Sequence, residues 1–127
     1  MPAAQLAFAT GRVLAALRAT LADPRGRWIL CSAHREAASE RALSGLAEGR
    51  LRSIVIDRSF IDAEGVRWVI DFKTSTHEGG RLEAFLTREL ERYRAQLEVY
   101  RALARELGPE PVRAGLYFPL LGVFQEL

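Results

Sequence analysis

Lysine is almost missing from this chain: 18 of its 127 residues are basic, one of them is lysine, Lys73, and the other 17 are arginine. A sequence that otherwise uses the planar, permanently charged guanidinium keeps the compact ammonium once, and the two cations are not interchangeable where a point charge must be placed. Cysteine is equally scarce. The lone Cys31 excludes an internal disulfide and any four-cysteine zinc or iron–sulfur site built from this chain alone. It suits a reducing compartment and reads as core filler. No apolar run approaches the roughly 20 residues that a spanning helix needs, so a soluble protein is expected. No G-x-x-x-x-G-K-S/T loop is present, which excludes an ATPase motor of that kind. The first 22 residues carry no acid, and with Arg12 and Arg18 they faintly resemble a transit peptide. Leu6, Val13, Leu14, Leu17 and Leu21 nevertheless recur at helical spacing, and Asp23-Pro24-Arg25-Gly26 stops them. That pattern predicts an amphipathic helix docked on a core.

What is present suffices for one domain with a real core, since hydrophobic residues make up 49% of the chain. A net charge of +2 with a pI of about 9.1 permits nucleic-acid contact without demanding it. After a short apolar stretch, Trp28 to Cys31, the segment Glu36 to Leu46 reads as a strand, although its alanines also favour helix. Leu51 to Ile61 and Val66 to Lys73 are rich in Ile, Val, Phe and Trp and are separated by Asp62-Ala63-Glu64-Gly65, which predicts a hairpin. Both strands carry apolar residues at odd and even positions, as in a sheet covered on both faces. From about Leu82 to Leu107, the residues Leu86, Leu90, Tyr93, Leu97, Tyr100, Ala104 and Leu107 step by four and three, the stripe of one long helix that Gly108-Pro109 ends. Val112 to Phe118 and Val123 to Leu127 read as two further strands around Pro119.

The hairpin decides whether acids meet. A three-residue loop, Ala63-Glu64-Gly65, with Gly65 in the left-handed conformation, pairs Asp62 with Val66, and counting inward pairs Asp57 with Asp71. Directly opposite residues project to one face with Cβ atoms roughly 4.5 to 5.5 Å apart, and Lys73, two residues after Asp71, shares that face. Paired carboxylates repel unless a positive charge sits between them, and oxygen-only ligands suit a hard divalent ion such as Mg²⁺, with Mn²⁺ as a substitute. Such an ion lowers the pKa of bound water and neutralises a phosphoryl oxygen, while a nearby lysine orients the attacking water and stabilises developing negative charge. These are the parts of phosphodiester hydrolysis. The bland alternative is an ordinary ion-pair cluster, in which Lys73 and Arg58 offset a cross-strand acid pair.

An ordered set of residues carries a family likeness: Ile56-Asp57-Arg58, then Val69-Ile70-Asp71-Phe72-Lys73-Thr74-Ser75, then Tyr93, Gln96-Leu97 and Tyr100 on a helix, then Gly115-Leu116-Tyr117-Phe118-Pro119. With it the chain resembles the RecB-like branch of the PD-(D/E)xK nuclease superfamily, in particular the C-terminal nuclease modules of UvrD-like (AddA-type) helicase-nucleases. The likeness runs from about Trp28 to the end. It implies an α/β fold with a central mixed sheet flanked by helices, residues 1–22 being an N-terminal helix and 28–127 the nuclease core of a single domain. It further implies that Asp57, Asp71 and the Phe72 carbonyl hold Mg²⁺, that Lys73 is the catalytic lysine, and that Gln96 and Tyr100 line the site and approach DNA. Implied partners are DNA and the helicase motor domains of the same or an associated chain. The implied setting is DNA repair and recombination in a bacterial cytoplasm, at the nucleoid, with exonuclease action.

Each of these residues has a plainer reading. Tyr100 lies in the apolar stripe, where a buried tyrosine with a satisfied hydroxyl explains it almost as well, whereas Gln96 is harder to explain as core. Glu40 offers a further acid near the site, with a solvated or strand-edge charge as its plainer reading, and the arginines and glutamates interleaved along the long helix read as a solvated face. One departure matters: the family places a metal-ligating histidine on a helix upstream of the sheet, and no histidine precedes Trp28. His34 and His77 match that position in neither case and read as surface residues. The departure fits a piece of a longer protein and equally fits a weakened site, so the rival expectation is a non-catalytic DNA-binding or docking module on the same fold.

Overall fold

The computed structural model describes residues 3–77 and 79–127; the side chains of residues 3–10 and of Arg12, and so Leu6 of the expected stripe, lie outside the described residues. Two helices, α1 (Ala3–Ala22) and α2 (Pro24–Leu30), precede three strands, β1 (Arg35–Ala47), β2 (Arg50–Ile61) and β3 (Arg67–Phe72). A long helix α3 (Leu82–Arg105) and two strands, β4 (Val112–Phe118) and β5 (Val123–Glu126), complete the order. The strands form one sheet in sequence order, antiparallel except for the parallel pair β3/β4, which α3 connects as a crossover. An α/β architecture with a mixed sheet and flanking helices is therefore observed.

The sheet is clad on both faces only in its inner part. Helix α3 lays Leu86, Leu90, Leu97 and Tyr100 over Ile56, Val69 and Leu116, while Ile29 of α2 closes a second cluster with Phe60, Trp68, Ile70 and Tyr117 on the other face. Toward the tip of the long β1/β2 arm one face is bare, with Leu51 76% and Val55 54% exposed. There the strands alternate in the manner of a one-sided antiparallel sheet, which corrects the expectation of full two-sided cover.

The N-terminal part differs most from the reading of the sequence. Asp23-Pro24 does stop α1, but it also starts α2: the Asp23 side chain accepts the Arg25 amide at 3.3 Å as N-cap, and proline occupies the first helical turn. Trp28 therefore lies on a helix. This short helix covers much of the second face of the sheet, and α1 is not docked on a core: its Val13, Leu14, Leu17 and Leu21 stay about half-exposed, Val13 and Leu17 lining an apolar hollow with Leu30, Phe72 and Pro119. What ties α1 down is its last turn. Thr20 is buried, and a side chain at Gly26 would overlap the Thr20 carbonyl and lie 2.7 Å from the Tyr117 hydroxyl, so only glycine allows this approach. Tyr117 in turn donates its hydroxyl to Asp23 at 2.6 Å, joining β4 to the α1/α2 junction. Among the described residues no helix is long and apolar enough to cross a membrane.

Candidate active site

The β2/β3 hairpin is built as its loop requires. Gly65 has φ +82, the Asp62 amide donates to the Val66 carbonyl at 2.9 Å, and Asp62 Oδ1 accepts the Glu64 and Val66 amides at 2.9 and 3.0 Å. Oδ2 of the same carboxylate accepts Trp68 Nε1 at 2.8 Å. A loop pinned this firmly fixes register, and the observed pairs Ile61/Arg67, Phe60/Trp68, Ser59/Val69 and Arg58/Ile70 place Asp57 and Asp71 at the next rung.

At that rung the regular ladder stops. Ile56 packs under α3 whereas Phe60, four residues on, packs with Ile29 of α2. In a regular strand both would face one way, so β2 turns over between them. Arg58 fixes the turn-over: its guanidinium donates to the carbonyls of Ile29 at 2.9 Å and Cys31 at 3.1 Å and to Ser39 Oγ at 3.1 Å, all at or near the C-terminal end of α2 or on β1. Released from the ladder, Asp57 turns its carboxylate to the Phe72 amide, accepting it at 2.8 Å. Arg58 is thus committed away from the acids. An ion-pair cluster in which Arg58 offsets Asp57 and Asp71 is not what the chain builds.

Lys73 is the cation at the acids. Its Nζ stands 2.8 Å from Asp71 Oδ2, with side chains only 17% and 8% exposed. That contact is a short ion pair, and the Oδ2 atom it reaches is itself buried. Burial first, and then the neighbouring Asp57 carboxylate, push Asp71 up to about 6 against the pull of Lys73 in the other direction. The balance is informative: one ammonium does not compensate two adjacent carboxylates in a nearly dry pocket.

Asp71 follows Val69 by two residues and so faces α3, which packs over Val69. Helix α3 presents Tyr93, Gln96 and Tyr100 at spacings of three and four, one continuous face toward this corner. The Lys73 Nζ lies 3.6 Å from the centroid of the Tyr93 ring. Gln96 is exposed and donates Nε2 to the Tyr100 hydroxyl at 2.5 Å. Burial raises the Tyr100 pKa, and the charges of Asp71 and Asp57 add to the rise, so its hydroxyl sits near both acids and stays protonated. Of the five residues singled out from the sequence, Asp57, Asp71 and Lys73 come together at this corner and Tyr100 is near enough to feel both acids, whereas Gln96 lines, with Tyr100, a separate hollow beside Arg52 and Val55. Gln96 reaches the acids only through Tyr100.

Two further residues stand beside this site. Tyr93 belongs both to the helix stripe and to the residues that carry the family likeness, and only the fold brings its ring to a lysine twenty residues earlier. Glu40 is on the edge strand as expected, with φ +51, and lines a hollow of about 340 Å³ with Ser39, Asp57 and Phe72. Three other readings need correction. Cys31 is half-buried as the C-cap of α2 rather than core filler. His34 is no bare surface residue: its ring stacks on Phe60 at 4.1 Å, with Nε2 2.7 Å from the Trp28 carbonyl. His77 is also partly buried, against Phe85. The α3 charges form a solvated face only in part: Arg94–Glu91 and Arg101–Glu98 are paired, but Glu89 and Arg101 are partly buried, with Glu89 Oε2 and Arg101 Nε lacking a hydrogen-bond partner.

Compared with models of known protein families the chain matches none, and no curated protein matches it.

Proposed function

We propose that this chain is a DNA nuclease module that hydrolyses phosphodiester bonds with Mg²⁺ or Mn²⁺ held at Asp57 and Asp71, of the RecB-like type found in helicase-nucleases. The observation that carries the reading is the pair of acids itself: Asp71 is buried beside Asp57, driven toward its neutral form, and has the chain's one lysine against it. A site in which two carboxylates cannot both ionise comfortably is one where a divalent cation replaces a proton with gain. The donor set fits such an ion in kind, being hard carboxylate oxygens, one of them buried. It is sparse in number. No group of three His, Cys, Asp or Glu occurs among the described residues, so the Phe72 carbonyl and solvent would have to complete the shell.

When bound, the cation would supply an activated water and charge neutralisation at a phosphoryl oxygen. The chain's own residues do the rest. The Phe72 amide holds Asp57 in one orientation beside Asp71. Lys73 sets a single positive charge beside the acids, where negative charge would grow on the transferring phosphoryl group. Gln96 donates to the Tyr100 oxygen, so the Tyr100 proton remains available to a phosphate oxygen entering from the α3 side.

Titration calorimetry with Mn²⁺ tests the metal claim: the wild-type chain binds measurably, Asp57→Ala does not, and equal binding by both removes the assignment. Cleavage of single-stranded and end-opened DNA in Mg²⁺, abolished by chelator, tests the activity. DNA binding without any cleavage would instead favour a docking module, a reading that the sparse donor set makes worth separating.

The α3 residues give a second test. Gln96 is exposed and Tyr100 buried, so Gln96→Ala should lower the melting temperature by only a few degrees, the cost of one hydrogen bond of about 1 kcal/mol, and should slow cleavage because Tyr100 loses the partner that orients it. Tyr100→Phe keeps the ring's packing and loses only the hydroxyl. An unchanged rate in Tyr100→Phe would return that residue to the core.

A further inference from the structure

Lys73 is held from two sides, and only one side is an acid. We propose that the Tyr93 ring is the positioning element for Lys73, a face-on clamp that keeps the ammonium at the Asp57/Asp71 corner independently of its ion pair with Asp71. The inference builds on the nuclease reading for its purpose, but the clamp itself stands on geometry.

The Lys73 Nζ lies 3.6 Å from the Tyr93 ring centroid and 2.8 Å from Asp71 Oδ2. At that distance the cation is over the negative face of the ring, inside the roughly 6 Å range in which such contacts attract, and the lysine's low exposure strengthens the attraction. Tyr93 is itself fixed. It is half-buried, packs against the core cluster under α3, and takes Arg92 at 5.3 Å from its centroid. The acid is the holder with a second claim on it, because the Asp71 oxygen that Lys73 meets is one of those that would face a bound cation. If Asp71 gives its oxygen to a cation, the ring still holds the lysine, so the ammonium stays at the corner instead of swinging out to solvent on its four-carbon stem.

The arrangement also gives a physical reason for the single lysine. An ammonium fits as a point between a ring face and a carboxylate oxygen, whereas a guanidinium lying flat on the ring would spread its charge parallel to the face.

Because Lys73 is the only lysine, protein labelled with ¹³C at lysine Cε reports this one side chain by NMR. In the wild type, Hε and Cε signals displaced upfield by the ring current and Overhauser contacts to the Tyr93 ring protons are expected, both persisting when Mg²⁺ is added. Tyr93→Phe keeps the displacement, and Tyr93→Leu loses it. Absent Overhauser contacts in the wild type, or a lysine signal that Tyr93→Leu leaves in place, overturns the clamp, and the wild-type measurement decides the matter even if Tyr93→Leu fails to fold. With DNA and Mg²⁺, Tyr93→Leu should cleave about tenfold more slowly, with Phe recovering most of the loss and Mn²⁺ affinity unaltered. Equal rates for Leu and wild type would refute positioning while the nuclease reading stands. No cleavage by any of the three, with the NMR signature intact, would refute the nuclease reading and leave the clamp.

Discussion

Lys73→Arg is expected to lower DNA cleavage by about 100-fold or more, the usual cost of removing one well-placed electrostatic contact from a transition state. The substitution preserves charge, so it isolates geometry. Wild-type Nζ reaches 2.8 Å from Asp71 Oδ2 while standing 3.6 Å above the Tyr93 ring. A guanidinium is planar, wider and delocalised; it can pair with Asp71 or lie on Tyr93, but it cannot present one concentrated charge to an attacking water between them. Mn²⁺ affinity should survive, because Asp57 and Asp71 are untouched, and the fold should survive because a cation still faces the acids. The diagnostic result is lost turnover with cation binding and melting behaviour retained. A variant that cleaves at near the wild-type rate would show that Lys73 only offsets charge, and the scarcity of lysine in this chain would then carry no chemical message.

The hairpin shows why so much of this corner was legible beforehand. Asp57 and Asp71 are fourteen residues apart, yet a three-residue loop with glycine at its left-handed position admits one register, and the observed rungs follow it. The α3 stripe was legible for a similar reason, since periodicity over some twenty residues leaves little choice. Helix α2 was not. Seven residues, Pro-Arg-Gly-Arg-Trp-Ile-Leu, are too short to show a period, and the Asp23-Pro24 signal serves a helix start as well as a stop. The misplacement of α1 has a related cause, because an amphipathic stripe tells that a face wants covering and not which surface covers it. The fate of Arg58 was equally hidden. Its hydrogen-bond partners are nineteen or more residues away, and nothing local distinguishes an arginine that serves acids from one that caps a helix with its side chain. Tyr93 over Lys73 belongs to the same class: a contact made by a crossover, without any trace in local spacing.

Asp71→Asn should make the metal-free protein more stable while ending cation binding, a combination that an ordinary structural aspartate would not give. Burial and Asp57 raise the Asp71 pKa from 3.8 to about 6, so the fold favours the neutral acid. The sign follows directly. For a group whose folded pKa is raised, the stability it contributes is complete below the unfolded value near 4 and is lost as pH climbs through about 6. At pH 7.5 the wild type therefore carries an ionised, poorly compensated carboxylate. A shift of about two units corresponds to roughly 2–3 kcal/mol, and asparagine, neutral at every pH and of nearly the same shape, removes most of that penalty. Thermal melts in chelator should show the Asn variant well above the wild type at pH 7.5 and level with it at pH 4. Adding Mg²⁺ at pH 7.5 should raise the wild-type melting temperature, since a cation that binds only the folded state stabilises it by mass action, and should leave the variant unmoved. An Asn variant that melts below the wild type at pH 7.5 would mean that the Lys73–Asp71 pair holds the fold together on its own. In that case the two acids would form a structural ion-pair cluster with no need of a metal.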